Sequence, residues 1–264
     1  MRIALTMALL WVANTVWAQA EFEVMNGLSH SYNSQPGSEH SGAIKVRNLT
    51  ENEVIIKVSK KDYIFNYKGE SYYEDSSDVK TNKEWIEVIA TNITLPAKAE
   101  YEIPYTVKVP ELDTLIGSYW SAFLIEPVGQ LNDEDPEVGV GIQTVIRYAV
   151  QIINEFEERG VAELEYLNVG MDTKDSTQII NVFIGNNGDF MVRPTVGIDI
   201  YNNETGESHE FKYEGGKRIY PSTSVSYSLP IKGLVEGSYT AVLIADCGDD
   251  DVFGMNVEFE VSYQ

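Results

Sequence analysis

The amino-acid sequence predicts an all-β chain made of two β-sandwich domains in tandem. Three observations predict it. From Phe22 onward, short runs of β-branched and aromatic residues are broken by Gly, Pro, Asn and Asp, with no sustained helical period. These runs recur at spacings of about 8 to 12 residues or a little more, as sandwich strands joined by turns do. The chain of 264 residues is long enough for roughly two domains of ordinary size, each able to bury its own core.

Taken in order, Met1 to Ala20 has the pattern of a secretory leader. Arg2 stands near the start, an apolar run follows from Ile3 to Val12, and Ala18-Gln19-Ala20 is a small-x-small cleavage site. The run is shorter than the roughly 20 apolar residues that a membrane span needs. An exported product without membrane insertion is the expectation. Blocks 21–152 and 153–264 are then the two sandwiches.

In the first block Gly42 to Val46 alternates, and after the turn Arg47 to Asn52 so do Val54, Ile56 and Val58. This predicts a hairpin-like pair of half-buried strands. Tyr63 to Lys83 is a polar, aromatic excursion longer than most connections, a surface meander with one or two docked rings among Tyr67, Tyr72 and Tyr73. Within it Ser77 to Lys80 fits Ser-x-x-Lys by chance, because no partner motif accompanies it. Trp85 to Ile89 and Ile103 to Val109 give two more strands, separated by the turn Leu95-Pro96-Ala97. Tyr119 to Ile125 is apolar on both faces, so this strand is expected at the centre of its sheet, with Pro127 ending it.

Val138 to Val150, VGVGIQTVIRYAV, is the stretch on which a functional reading turns. In an extended strand Val138, Val140 and Ile142 line one face, while Gly139 and Gly141 leave the other nearly bare. Arg147 interrupts an apolar run, and a cation placed there needs a partner to offset its desolvation, a carboxylate being the natural one. Alternation then fades through Gln151 to Gly160, where the domain boundary is placed.

The second block continues the same grammar. Gln178 to Ile184 runs into the turn Asn186-Asn187-Gly188-Asp189, and Val196 to Tyr201 into Asn202 to Gly206. Ser208 to Tyr213, Ser224 to Leu229, Gly237 to Ala245 and Met255 to Val261 complete the strands. Its EGSYTAVLIAD segment resembles the penultimate strand of fibronectin-like or immunoglobulin-like modules, so both domains are expected to be immunoglobulin-like.

Composition narrows the chemistry. A formal net charge of −22 repels nucleic acid and anionic lipid, which removes both as partners. The three histidines, His30, His40 and His209, are not spaced with other zinc ligands, and there is no nucleophile elbow or phosphate-cradling loop. Neither an enzyme nor a cofactor or metal site is expected. The acidic groups Asp133, Glu134, Asp135, Glu137 and Asp246, Asp249, Asp250, Asp251 are read as solvated turns rather than cation sites. Cys247, the single cysteine, makes no intrachain disulfide and is expected as a small buried residue. Asn48, Asn92 and Asn203 each head an Asn-x-Ser/Thr triplet.

The succession SYWSAFLIEP (Ser118 to Pro127), acidic loop, then VGVGIQTVIRYAV resembles the first domain of the periplasmic pilus chaperones of chaperone–usher systems, the PapD-like superfamily. NITLPAKAEYEIPYTV (Asn92 to Val107) is similar to another family strand, with Ala97 where glycine is usual. The resemblance implies a periplasmic, non-enzymatic protein that lends an alternating strand to incomplete pilin-like subunits, with an outer-membrane usher as a further partner. Val138, Val140 and Ile142 match the hydrophobics presented to the subunit, and Arg147 the basic anchor for its C-terminal carboxylate. The family's second basic anchor sits on the first strand, where Gly27 to Asn33 offers only His30. The family's Asp-Arg-Glu is replaced by Asp113 to Gly117. A different class of function is a cell-surface structural or adhesive module binding carbohydrate or cell wall, with a loose likeness to two-domain surface proteins that accompany WxL-domain proteins.

Overall fold

Strand periodicity sets the architecture of the computed structural model, which describes residues 20–128, 145–156, 160–174, 177–248 and 251–262. The described chain is all-β apart from one short 3-10 turn at Lys83–Trp85. The first ten strands are β1 (Phe22–Val24), β2 (Ser29–Asn33), β3 (Glu39–Asn48), β4 (Val54–Phe65), β5 (Ser71–Glu74), β6 (Ile86–Val88), β7 (Asn92–Leu95), β8 (Glu100–Lys108), β9 (Gly117–Pro127) and β10 (Tyr148–Phe156). They form one sandwich of a sheet ordered β1-β3-β8-β6 against a sheet ordered β2-β10-β9-β4-β5, with β7 also on β4.

Between these sheets lies an apolar core. Ile44, Val46, Ile103 and Val107 from one side meet Ile56, Val58, Phe123, Ile125, Val150 and Ile152 from the other. The alternation at 42–46 and 54–58 is therefore real, but the expected hairpin is not formed. β3 pairs with β1 and β8, while β4 pairs with β5, β7 and β9, so the turn between them crosses from one sheet to the other. Both strands bury one face, and two half-buried strands satisfy that equally well facing each other across a core as beside each other in a sheet. Asn48 secures the crossing: its Nδ2 donates to the carbonyls of Asn52, Leu95 and Pro96 at 2.8, 2.9 and 3.0 Å.

The second sandwich comprises β11 (Leu164–Lys174), β12 (Thr177–Asn186), β13 (Thr195–Asn202), β14 (Ser208–Lys212), β15 (Ser224–Ile231), β16 (Gly237–Asp246) and β17 (Val252–Val261). A sheet ordered β11-β12-β15 packs on one ordered β14-β13-β16-β17. Val182, Ile184, Ile198, Ile200, Tyr227 and Leu243 fill its centre. Cys247 lies just beyond β16, half-buried, and burial with Asp251 and Asp246 nearby pushes its thiol up to about 11.

The two sandwiches meet through a packed joint. β9 is central, as its sequence requires, because its second face is covered by the neighbouring domain: Trp120 and Ile153 cluster with Tyr220. The Trp120 and Tyr220 rings stack at 4.7 Å, and Trp120 Nε1 donates to the Tyr63 carbonyl at 2.7 Å. The amide of Ser118 donates to the Asp189 carbonyl at 2.8 Å, and Lys80 Nζ meets Asp189 Oδ1 at 2.5 Å. That lysine holds the Asp189 carboxyl below the usual range. Gly117, at φ 68°, permits the approach, since a Cβ there would lie 2.0 Å from the Asp189 carbonyl oxygen.

The aromatic excursion serves this joint too. Tyr63 belongs to β4 and stacks on Tyr73 of β5 at 4.9 Å, while the Tyr67 ring lies 5.1 Å from that of Phe183 in the second sandwich. Ser77 donates to Asp62 Oδ2 at 3.0 Å, so Ser77 and Lys80 serve separate structural contacts.

Candidate functional site

The candidate site lies where the first strand changes sheets. β1 pairs antiparallel with β3; Gly27, at φ 89°, then turns the chain so that β2 crosses and pairs parallel with β10, Ser29 opposite Gln151 through Asn33 opposite Glu155. β2 is short and polar, as sheet-edge strands commonly are. β10 pairs with β9 over a longer span, from Tyr148 opposite Ile125 to Phe156 opposite Gly117. Consequently Tyr148, Ala149 and Val150 have a neighbouring strand on one side only among the described residues. The sheet edge is notched there: the Gln151 amide donates to the Leu28 carbonyl, and two residues earlier the Ala149 N–H and C=O face the same edge, available for pairing.

Fading alternation had placed the end of strand character at Val150, yet β10 runs on to Phe156. Gln151 to Phe156 form a strand because both faces are covered, Ile152 by the first core and Ile153 by the joint. The intervening Asn154 is fully buried and satisfied: it accepts from Asn82 Nδ2 at 2.6 Å and donates to Ser34 Oγ at 2.9 Å. At the other end, Val145, Ile146 and Arg147 lie outside any strand.

Beside the notch opens a cleft of about 510 Å³ between the domains, lined by Ser29, Tyr73, Arg147, Gln151 and Arg218 among others. Arg147 Nη2 meets Glu126 Oε2 at 2.7 Å, with side-chain exposures of 54% and 26%. The expected carboxylate partner is thus Glu126, but the guanidinium is half in water rather than desolvated. Its positive charge opposes the rise that burial causes in the hydroxyl pKa of Tyr73. Gln151 Oε1 accepts from the Tyr220 hydroxyl at 2.5 Å and from Arg218 Nη1 at 3.4 Å.

His30 is not brought to this cleft. Successive strand residues face opposite ways, so with Ser29 toward the cleft the His30 ring turns into the first sandwich. There its Nδ1 pairs with the Tyr105 hydroxyl at 2.6 Å, and that hydroxyl with Tyr32 at 2.7 Å. Burial lowers the His30 pKa, and its Nε2 is buried without a hydrogen-bond partner. Val138, Val140 and Ile142 lie outside the described residues, as do the acidic groups at 133–137 and Asp249 and Asp250. The residue that sequence reasoning missed is Arg218. Its place in the cleft depends on a contact between domains, for which no periodicity or motif gives a signal.

No family model matches the sequence, and no curated protein matches it. Among solved structures, the chain is similar to one from the chaperone–tip adhesin complex of CFA/I fimbriae, with 16% identity, 90% of this chain and 98% of that one covered, and a TM-score of 0.49. It is also similar to the class 5 fimbriae chaperone CfaA, with 17% identity, coverage of 92% and 100%, and a TM-score of 0.45. A third is the chaperone–tip adhesion subunit pre-assembly complex of archaic Csu pili from Acinetobacter baumannii, with 9% identity, coverage of 79% and 90%, and a TM-score of 0.42.

Proposed function

We propose that this chain is an exported, periplasmic chaperone-like protein that holds a β-rich, pilin-like subunit by strand addition along β10. The notch carries the reading: Tyr148, Ala149 and Val150 are paired on one side by β9 and, among the described residues, have no strand on the other. An added strand gains main-chain hydrogen bonds there, and the apolar side chains of the donated segment give specificity. In this scheme Val138, Val140 and Ile142 fill the subunit's open groove and Arg147 binds its terminal carboxylate. Arginine has five N–H donors in a fork, so Arg147 can keep Glu126 and still offer donors to a second acid.

β2 gives the arrangement an end stop. From Ser29 onward it occupies the position beside β10 that an added strand would take, so the added strand must finish at the cleft. The test is recovery from the native host. Protein tagged at Gln264 is expected to retain a small secreted β protein from the periplasm, and folded Arg147→Ala and Val140→Asp chains are expected to lose it. Equal recovery by all three chains, or recovery of cell-wall polymer instead, refutes the reading.

A further inference from the structure

We propose that the open side of the second sandwich, between β11 and β17, is a second docking site, and that its occupant is an extended protein segment alternating apolar with basic residues. The site shares no residue with β10 or with the cleft between the domains, so it stands whether or not a subunit adds there. β11 and β17 are both sheet edges: among the described residues β11 pairs only with β12, and β17 only with β16. At one end of this side the two strands are tied together, the Tyr166 hydroxyl donating to the Phe253 carbonyl at 3.0 Å. A bulge at Leu167 then bends β11. Beyond it the strands leave a groove of about 180 Å³, lined by Val169, Met171, Ile180, Val257 and Phe259 among others.

These side chains belong to the core face. Val169 and Met171 stand opposite Val182 and Ile180, which are buried in the core, so both point inward. On β17, Val257 and Phe259 stand opposite Ala241 and Tyr239 and point inward likewise. Yet Met171 is 37% exposed, and Val169, Val257 and Phe259 are only half-buried. The inner faces of two sandwich strands are thus wetted along one side. Methionine, unbranched and adaptable, suits a surface that closes on a partner.

The edge of β17 supplies the pairing. The Asn203 amide donates to the Ser238 carbonyl, so even-numbered residues of β16 bond toward β13 and odd-numbered ones toward β17. Tyr239 and Phe259 are therefore a hydrogen-bonded pair, and the N–H and C=O of Gly254, Asn256 and Glu258 face the free edge. A strand added there lies about 4.8 Å from β17, and its inward side chains enter the groove beside Met171. Its outward side chains stand beside Glu258 and Glu260, which are exposed and form no ion pair among the described residues. On β16 these acids face the uncharged Thr240 and Ser238. Lysine or arginine on the added strand gives each of them an opposite charge across the strand pair. A second copy of this chain does not fit that requirement, because each carries a net charge of −22.

The experiment combines titration and backbone hydrogen exchange on the full chain with three peptides blocked at both ends: alternating Val and Lys, alternating Val and Glu, and alternating Thr and Lys. The Val/Lys peptide is expected to protect the amides of Gly254, Asn256 and Glu258, to leave Ala149 unchanged, and to bind about tenfold more tightly than either of the others. Asn256→Pro removes a donor from the free edge without breaking a bond to β16, and is expected to abolish the protection. Glu258→Lys is expected to weaken the Val/Lys peptide about fivefold, and is read in its place should the proline prevent folding. Equal binding of the Thr/Lys peptide would show that charge alone attracts it, and overturns the inference. Equal binding of the Val/Glu peptide, unchanged exchange at all three amides, or protection at Ala149 in their place overturns it too. A chain that is dimeric by itself, with those amides already protected, assigns the edge to a second copy and also overturns it.

Discussion

Replacement of Trp120 by alanine tests whether the joint that positions the cleft is a packed core. The indole is 0% exposed, stacks on Tyr220 at 4.7 Å and donates to the Tyr63 carbonyl at 2.7 Å. Truncating a fully buried tryptophan costs about 3–5 kcal/mol through lost transfer energy and the cavity left behind. That range includes the Tyr63 carbonyl losing its donor and the lost ring stacking, which are parts of the same truncation. Because the cavity opens between the domains, unfolding in urea followed by far-ultraviolet circular dichroism should split into two transitions in Trp120→Ala. Trp120→Phe retains a ring for Tyr220 but not the N–H, and should lose about 1–2 kcal/mol. A Trp120→Ala chain within about 1 kcal/mol of wild type, with one unchanged transition, would show that the domains do not share a core and that Arg218 is not held at the cleft.

Two further outcomes follow from buried polar groups. Lys83 Nζ lies 3.4 Å from Asp62 Oδ2, with side-chain exposures of 10% and 1%, so Lys83→Met takes the cation from a buried carboxylate that keeps only the Ser77 and Thr81 hydroxyls and should cost about 3 kcal/mol in urea unfolding; a loss under about 1 kcal/mol contradicts the pairing. Burial holds the pKa of His30 below its usual 6.5, so the unfolded chain takes up more protons there. The stability of neutral His30 is complete above pH 6.5 and drains away as pH falls from there through the folded value. His30→Gln should therefore show a shallower acid-side fall in its urea midpoint than wild type, and identical slopes would refute the assignment.

Much of the strand framework was legible in the sequence. The doubly apolar Tyr119 to Ile125 announced a central strand, and Asn186 to Asp189 announced a turn. Periodicity reports which face of a strand is buried but not which strand lies beside it, so β3 and β4 were expected to pair and instead face each other. β2 was placed as a strand by the family resemblance alone, because SHSYN has no apolar alternation; its position in the sheet follows from parallel pairing with residues over a hundred positions away. Of the candidate site, Arg147 was legible as a cation needing a carboxylate, and Glu126 is that partner. Arg218 was not, since only the folding of Tyr220 onto Trp120 brings it there. Asn48 shows the same limit: its triplet suggests a glycan acceptor, but the side chain is 0% exposed and knits a turn.

The most direct test of strand addition is backbone hydrogen exchange on the protein alone and with the subunit it recovers. The account predicts that the amide of Ala149, which faces the open side of β10 as the Gln151 amide two residues on faces Leu28, becomes protected in the complex, while those of β2 and β17 do not change. Unchanged exchange at Ala149 with new protection along β17 or another edge would contradict it.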